Sequence, residues 1–106
     1  MAWFLLLIAG LLEVVWAFLM KLSFGFTRFW PSLGTIGFMV GSFALLSISM
    51  RSLPLGTAYM VWTGIGAIGA FVVGVVLLGE ELSAIRALAA LLIVSGIVLM
   101  KVSSSA

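Results

Sequence analysis

The stretch Ala2–Met20, AWFLLLIAGLLEVVWAFLM, decides the fold, because it is apolar throughout except for Glu13 and stops at Lys21. A helix of about 20 mostly apolar residues is long enough to span the hydrocarbon core of a bilayer. The stretch therefore predicts a transmembrane helix. It lacks a basic segment before the apolar run and a small-residue cleavage pattern after it, so we expect a retained span and not a cleaved signal peptide.

Three further stretches meet the same criterion of length and polarity, and short connectors with charged or turn residues separate them. Their predicted bounds are Trp30–Met50, Thr57–Leu78 and Ala84–Met100. The sequence thus predicts an all-α membrane protein with four transmembrane helices in a single domain, residues 1–106. Trp3 and Trp30 fall at span ends, where indole rings favour the headgroup level. The tail Ser103–Ala106 is expected to fray and to carry no function.

The composition excludes most soluble functions. Hydrophobic residues make up 65% of the 106 residues and charged residues 8%, with a mean hydropathy of +1.45, whereas soluble domains are about 25% charged. Cysteine, histidine, aspartate, asparagine and glutamine are absent, which excludes disulfides, zinc sites and Ser-His-Asp or cysteine nucleophiles. The five basic residues are scattered, which argues against nucleic-acid binding. We therefore expect no enzyme, metal or cofactor.

The basic residues give almost no orientation signal. With four spans, Arg51 and Lys101 belong to one side of the membrane, and Lys21, Arg28 and Arg86 belong to the other. The positive-inside rule needs a bias between the sides, and here the bias is nearly nil. We therefore predict dual topology. Many transporters use inverted repeats within one chain, and a chain this short would obtain the same symmetry from an antiparallel homodimer.

Glu13 is the one acidic residue inside a predicted span. Ionisable groups in hydrocarbon are costly and mark ion or proton pathways by default; the alternative is a structural hydrogen bond between helices. Two such carboxyls facing each other in a dimer would hold protons more tightly than a carboxyl in water, which suits exchange of a proton for a cation. Gly10 would open space one turn before Glu13, and Trp16 would form an aromatic wall or simply pack between helices.

The third span presents an aromatic and polar face. Tyr59, Trp62, Thr63 and Gly66 lie on it at helical spacing, and aromatic faces attract cations by about 0.5–2 kcal/mol. Ser42 is the mid-span hydroxyl of the second helix. Its hydroxyl could orient a carboxylate or bond back to its own helix.

Glycine patterns indicate helix contacts and not a nucleotide site. Gly64–Gly69 matches G-x-G-x-x-G, but it lies within an apolar span and lacks the acidic residue about 20 positions on that dinucleotide sites carry. We interpret it as a weakened helix that can bend. Gly37 and Gly41 fit the small-residue packing motif of membrane helices. The fourth span has no acidic or aromatic residue, and we assign it to dimer contact.

The run Pro54–Gly66, PLGTAYMVWTGIG, together with Glu13 in the first of four short spans, resembles the small multidrug resistance family over essentially the whole chain. Within that family, EVVWA around Trp16 and WTGIGA from Trp62 look like the guanidinium exporter subtype. The drug-exporting subtype typically has a small residue in place of Trp16 and serine in place of Thr63.

The resemblance implies an antiparallel homodimer in the bacterial inner membrane, a proton-coupled antiporter in which protons and a small organic cation compete for two Glu13 carboxylates. The residues expected to line this central site are Glu13, Trp16, Ser42, Tyr59 and Trp62. The residues expected to support it are Gly10, Met60, Thr63, Gly64 and Gly66. Met60 departs from the subtype, which usually has a small residue there. We therefore expect small substituted guanidinium or quaternary ammonium ions to be carried besides guanidinium.

Three other functions stay open at this point. A broad-specificity multidrug or quaternary ammonium exporter would take up bulky aromatic cations. A non-transporting accessory membrane subunit would dimerise without binding a cation at Glu13. A passive channel would conduct without a proton gradient.

Overall fold

The computed structural model describes residues 1–103 as four α-helices joined by short connectors. The helices are α1, Ala2–Leu22; α2, Phe29–Ser49; α3, Leu55–Leu77; and α4, Ala84–Ser103. Each is long and apolar enough to cross a membrane, so the four predicted spans are confirmed as helices. The predicted fraying of Ser103–Ala106 is wrong for Ser103, which is the last residue of α4, and residues 104–106 lie outside the described residues.

Helix boundaries differ from the predicted ones by one to three residues at most ends. α3 begins at Leu55, two residues before the predicted start, because Pro54 lies in an extended conformation and its carbonyl accepts the N–H of Ala58 at 3.0 Å. Proline is well suited to such a position, since it has no N–H to leave unpaired. α1 and α4 run past Lys21 and Lys101, because basic side chains are favourable in the last turn of a helix.

α1 lies between α2 and α3. Leu12 and Leu19 of α1 meet Gly41 and Gly34 of α2 in reverse order, so this pair is antiparallel. Contacts between α1 and α3 follow the same order along both helices, so that pair is parallel. The first and third connectors therefore share one end of the bundle, as four alternating spans require. The buried apolar residues are Leu6, Ala9, Leu46, Leu53, Ala58, Val61 and Trp62.

The predicted packing motif on α2 is only half right. A Cβ at Gly41 would lie 3.6 Å from Leu12, and one at Gly34 would lie 3.0 Å from Leu19, whereas one at Gly37 would meet nothing within 4 Å. Seven residues make almost two full helical turns, so Gly34 and Gly41 share the line that faces α1. Gly37 is rotated off that line.

α4 is attached to the bundle on one side only. Within residues 1–103 it packs along α3, with a further contact of Lys101 on the Trp3 ring of α1, and none of its residues is buried. Gly64 of α3 makes that contact, since a Cβ there would lie 2.8 Å from Ile97. The rest of α4 is exposed apolar surface, and its role in dimer contact stays a prediction.

Candidate functional site

Glu13 lies against α3 at a position where only glycine fits. Its side chain is half-buried, and a Cβ built at Gly66 would overlap its carboxyl group. The space predicted beside Gly10 is not open, because the side chain of Ile65 fills it. The room for the carboxyl group is therefore made by Gly66 on α3 and not by a small residue on its own helix.

Ser42 joins three helices through one buried hydroxyl group. The hydroxyl donates to the carbonyl of Ala9 on α1 at 2.7 Å and accepts the indole N–H of Trp62 on α3 at 3.0 Å. Both sequence-based interpretations of Ser42 differ from this arrangement, since it bonds neither Glu13 nor its own helix. The nearby carbonyl of another helix satisfies the hydroxyl better than a strained bond within α2 would.

Aromatic rings form a continuous chain across the same three helices. Trp62 lies 5.7 Å from Tyr59 and 5.6 Å from Phe43, and Phe43 lies 6.3 Å from Trp16 at an interplanar angle of 77°. These are ordinary separations for edge-to-face aromatic contacts. Phe43 was missed by the sequence reasoning, although its place next to the mid-span hydroxyl of Ser42 was a usable signal.

Two polar atoms of this region are buried without a hydrogen-bond partner. They are Oε1 of Glu13, an acceptor, and Nε1 of Trp16, a donor one turn further along α1. A buried polar group without a partner costs about 1–3 kcal/mol, and each such group calls for an explanation. A bound cation would supply a partner for the carboxylate, and the neighbouring aromatic faces suit the same charge.

The remaining predicted site residues lie toward α4. Met60 and Thr63 are exposed and, with Tyr59, line an open cavity of about 290 Å³ that Ile93 of α4 also borders. Gly64 is buried in the contact with α4 and does not reach Glu13. Tyr59 borders this cavity and also contacts the aromatic chain, because its ring lies next to that of Trp62. The structure thus links Trp62 directly to Ser42 and Tyr59 and, through Phe43, to Trp16. Glu13 lies against Gly66, one turn beyond Trp62, and Met60, Thr63 and Gly64 lie toward α4.

Chemically, this is a carboxyl group of α1 held against α3, with the indole of Trp16 one turn further along α1. Four helices able to cross a membrane and a carboxylate inside the first of them define a multi-pass membrane protein. Among residues 1–103, no cluster of side chains is suited to hold a metal ion. A carboxyl group inside such a helix can bind a proton or a cation.

The comparisons with known proteins agree with this class. The sequence model described as Small Multidrug Resistance protein matches residues 1–94, and the chain belongs to that family of membrane transporters. It is 58% identical to a protein of Citrobacter freundii named "Guanidinium exporter", over 98% of this chain and 99% of the relative. Proteins of the same name from Salmonella typhi and Escherichia coli K12 are 57% and 54% identical over the same shares.

Proposed function

We propose that this chain is a proton-coupled antiporter of the bacterial inner membrane that exports guanidinium and small substituted guanidinium or quaternary ammonium cations. The observation that carries the proposal is the buried Oε1 atom of Glu13, which has no hydrogen-bond partner in the described part of the chain. The names of the relatives support guanidinium as the principal substrate.

The geometry suits a flat cation with several N–H donors. A carboxylate accepts paired N–H bonds from a guanidinium group, which are stronger than neutral hydrogen bonds. The ring chain of Trp16, Phe43, Trp62 and Tyr59 begins one turn from Glu13 on α1 and offers ring faces and edges to a cation. Guanidinium is also weakly hydrated compared with an ammonium ion, so it loses less on entering an apolar site.

In the proposed mechanism, protons and the cation compete for Glu13. Proton binding from the outside releases the cation there, and the protonated transporter then reopens inward, where cytoplasmic cation displaces the protons. Coupling requires that the empty, deprotonated state switch rarely. Glu13 can serve both ligands because it is the one carboxylate within the four helices, while Glu80 and Glu81 lie in the third connector.

A second copy in antiparallel orientation would complete the site. Tyr59 and Phe43 are exposed, and α4 is exposed along most of its surface. An antiparallel partner would cover these faces and bring a second Glu13 to the centre. The nearly equal numbers of basic residues on the two sides support insertion both ways.

The proposal is tested by transport current in proteoliposomes with guanidinium and then tetraethylammonium. Glu13→Gln removes the exchangeable carboxylate, and Glu80→Gln is the matched control, because it removes a carboxylate from the third connector. We expect a proton-coupled guanidinium current that Glu13→Gln abolishes and Glu80→Gln retains. Current in Glu13→Gln, or guanidinium flux that moves no protons in the opposite direction, would contradict the proposal and favour a channel. No cation binding by a normally assembled dimer would favour an accessory subunit.

Broad specificity is the second candidate, and Met60 favours it. Its flexible thioether side chain is 59% exposed and lines the cavity toward α4. Methionine adapts its shape to varied apolar groups. Comparable currents from guanidinium and tetraethylammonium would support this candidate. Met60→Ala would then restrict transport to the smaller cation.

A further inference from the structure

The connector between α1 and α2 is held in an unusual backbone conformation. Three consecutive residues have positive φ angles: Phe24 at 49°, Gly25 at 72° and Phe26 at 67°. Glycine adopts this left-handed region readily, but residues with a Cβ do so at a cost. Strain of this kind persists only where the surroundings fix it, and it is often associated with function.

Ser23 and Thr27 fix the conformation. The buried hydroxyl of Ser23 donates to the carbonyl of Met20 at 2.6 Å and accepts the N–H of Phe26 at 3.0 Å. The main-chain carbonyl of Ser23 accepts the N–H groups of Thr27 and Arg28 at 2.8 and 3.1 Å. The hydroxyl of Thr27 donates to the carbonyl of Phe24 at 2.9 Å. The connector is therefore a built turn and not a loose link.

The turn presents aromatic rings and basic groups outward. Its exposed aromatic residues are Phe24, Phe26, Phe29 and Trp30, of which Trp30 is 75% exposed. The guanidinium of Arg28 lies 4.2 Å from the centre of the Phe24 ring. Lys21 lines an open cavity of about 510 Å³ together with Phe24 and Phe26. We call these residues, Lys21, Phe24, Phe26, Arg28, Phe29 and Trp30, the connector surface.

The charge of this surface selects its partner. Residues 21–30 contain two basic residues and no acidic one. Glu80 borders the neighbouring groove between α1 and α3, where Lys21 also lies, but it does not border the cavity formed by Phe24 and Phe26. Exposed aromatic rings at a span end favour the headgroup level of a bilayer, and arginine is well suited to bind phosphate. The combination fits a lipid headgroup whose net charge is negative.

We propose that the connector surface is a binding site for an anionic phospholipid. Arg28, held in place by the Phe24 ring, contacts the phosphate group, and Lys21 supplies the second positive charge. The exposed rings insert among the lipid glycerol backbones. A zwitterionic headgroup fits less well because its own cationic group is repelled by both side chains. This site is separate from Glu13 and does not depend on which cation is exported.

The opposite end of the bundle provides the internal contrast. There, Lys101 lies 4.9 Å from the centre of the Trp3 ring, and the connector that carries Arg51 turns over the buried Leu53. That end has two basic residues as well, Arg51 and Lys101, but its connector, residues 50–54, presents no aromatic residue. The end with the connector surface also carries Arg86, Glu80 and Glu81, so its net charge is the lower of the two. The aromatic connector, and not net charge, therefore distinguishes it.

Native mass spectrometry of the full chain, titrated with phosphatidylglycerol or phosphatidylcholine, tests the proposal. We expect preferential retention of phosphatidylglycerol by the wild-type chain. Lys21→Gln with Arg28→Gln should weaken that retention about 30-fold, because each basic residue near an anionic surface contributes roughly a fivefold factor. The matched control, Arg51→Gln with Lys101→Gln, should change it by a smaller factor, because the connector at that end presents no aromatic residue. Equal retention of the two lipids, or equal loss in both double variants, would overturn the proposal.

Phe24→Gly keeps both charges and relieves the positive φ angle, so it tests the built turn even if the charge variants fold poorly. We expect it to raise the melting temperature in detergent and to weaken phosphatidylglycerol retention about threefold, since the guanidinium loses its aromatic support. Unchanged retention would contradict the role given to Phe24. Inorganic phosphate added at matched ionic strength should not displace the lipid, and displacement would identify a free-phosphate site instead.

Discussion

The first three helices and the fourth are built in different ways. α1, α2 and α3 share the buried residues and are tied together through the hydroxyl of Ser42. α4 has no buried residue; within the described range 1–103 it packs along α3 and meets α1 through the Lys101–Trp3 contact. The three-helix unit is thus specified by contacts within one chain. Most of the surface of α4 is apolar and has to be covered by lipid or by a second copy of the chain.

The largest effect is expected where the three-helix unit has no spare room. Gly66→Ala places a methyl group where the Glu13 carboxyl lies, so either the carboxylate or α3 must move. We expect loss of guanidinium current and a stability cost of about 1–3 kcal/mol, as for overpacked sites. Thermal unfolding in detergent and current in proteoliposomes check this. Gly37→Ala is the control, because nothing of this chain lies within 4 Å of the new group; equal damage from both would break the comparison.

The next effect concerns the hydrogen bonds that unite the unit. Ser42→Ala leaves the buried indole N–H of Trp62 without its acceptor and removes the side-chain donor to the Ala9 carbonyl, which costs about 1–3 kcal/mol. Ser49→Ala is matched, since Ser49 is equally buried but bonds only the carbonyl of Leu46 in its own helix. We expect a larger fall in melting temperature for Ser42→Ala. A larger fall in melting temperature for Ser49→Ala would show that the hydrogen bonds between helices are unimportant.

A third prediction sharpens the contrast by changing α4 alone. A Cβ at Gly96 meets nothing within 4 Å in this chain, so Gly96→Val should leave the fold of the monomer intact. If a second copy covers α4, the same change should weaken the dimer by about 1–3 kcal/mol through overpacking. Cross-linking yield at several protein-to-lipid ratios measures this. Unchanged dimer formation would assign this face of α4 to lipid.

The smallest effect is expected at Phe43, the middle ring of the aromatic chain. Phe43→Leu keeps most of the apolar volume but removes the edge-to-face contacts with Trp16 and Trp62. Such contacts are worth about 0.5–1.5 kcal/mol, so we expect the KM for guanidinium to rise about threefold with little change in stability. Ile48→Leu, on the same helix, keeps side-chain volume and serves as the control. A KM unchanged by Phe43→Leu would remove Phe43 from the site.

The sequence predicted the four helices well because an apolar run of bilayer length has few alternatives. It also singled out Glu13, since a lone carboxylate in such a run is easily recognised. It could not tell which glycine accommodates that carboxylate, because Gly10 and Gly66 look alike until the rotation of α1 against α3 is known. The bond from Ser42 to Ala9 was equally out of reach. It joins residues that only the packing of two helices brings together, and the acceptor is a main-chain carbonyl with no signature in the sequence.

Ser42 also has a consequence for the order in which the chain assembles during synthesis. Its partner on α1 precedes it in the chain and its partner on α3 follows it. The α1–α2 hairpin can therefore satisfy the hydroxyl donor as soon as both helices are in the bilayer, while the acceptor lone pair stays free until α3 arrives. Docking of α3 is then the event that changes the environment of Trp62. The fluorescence emission of Trp62 should therefore report when the three-helix unit is complete on a ribosome-bound chain.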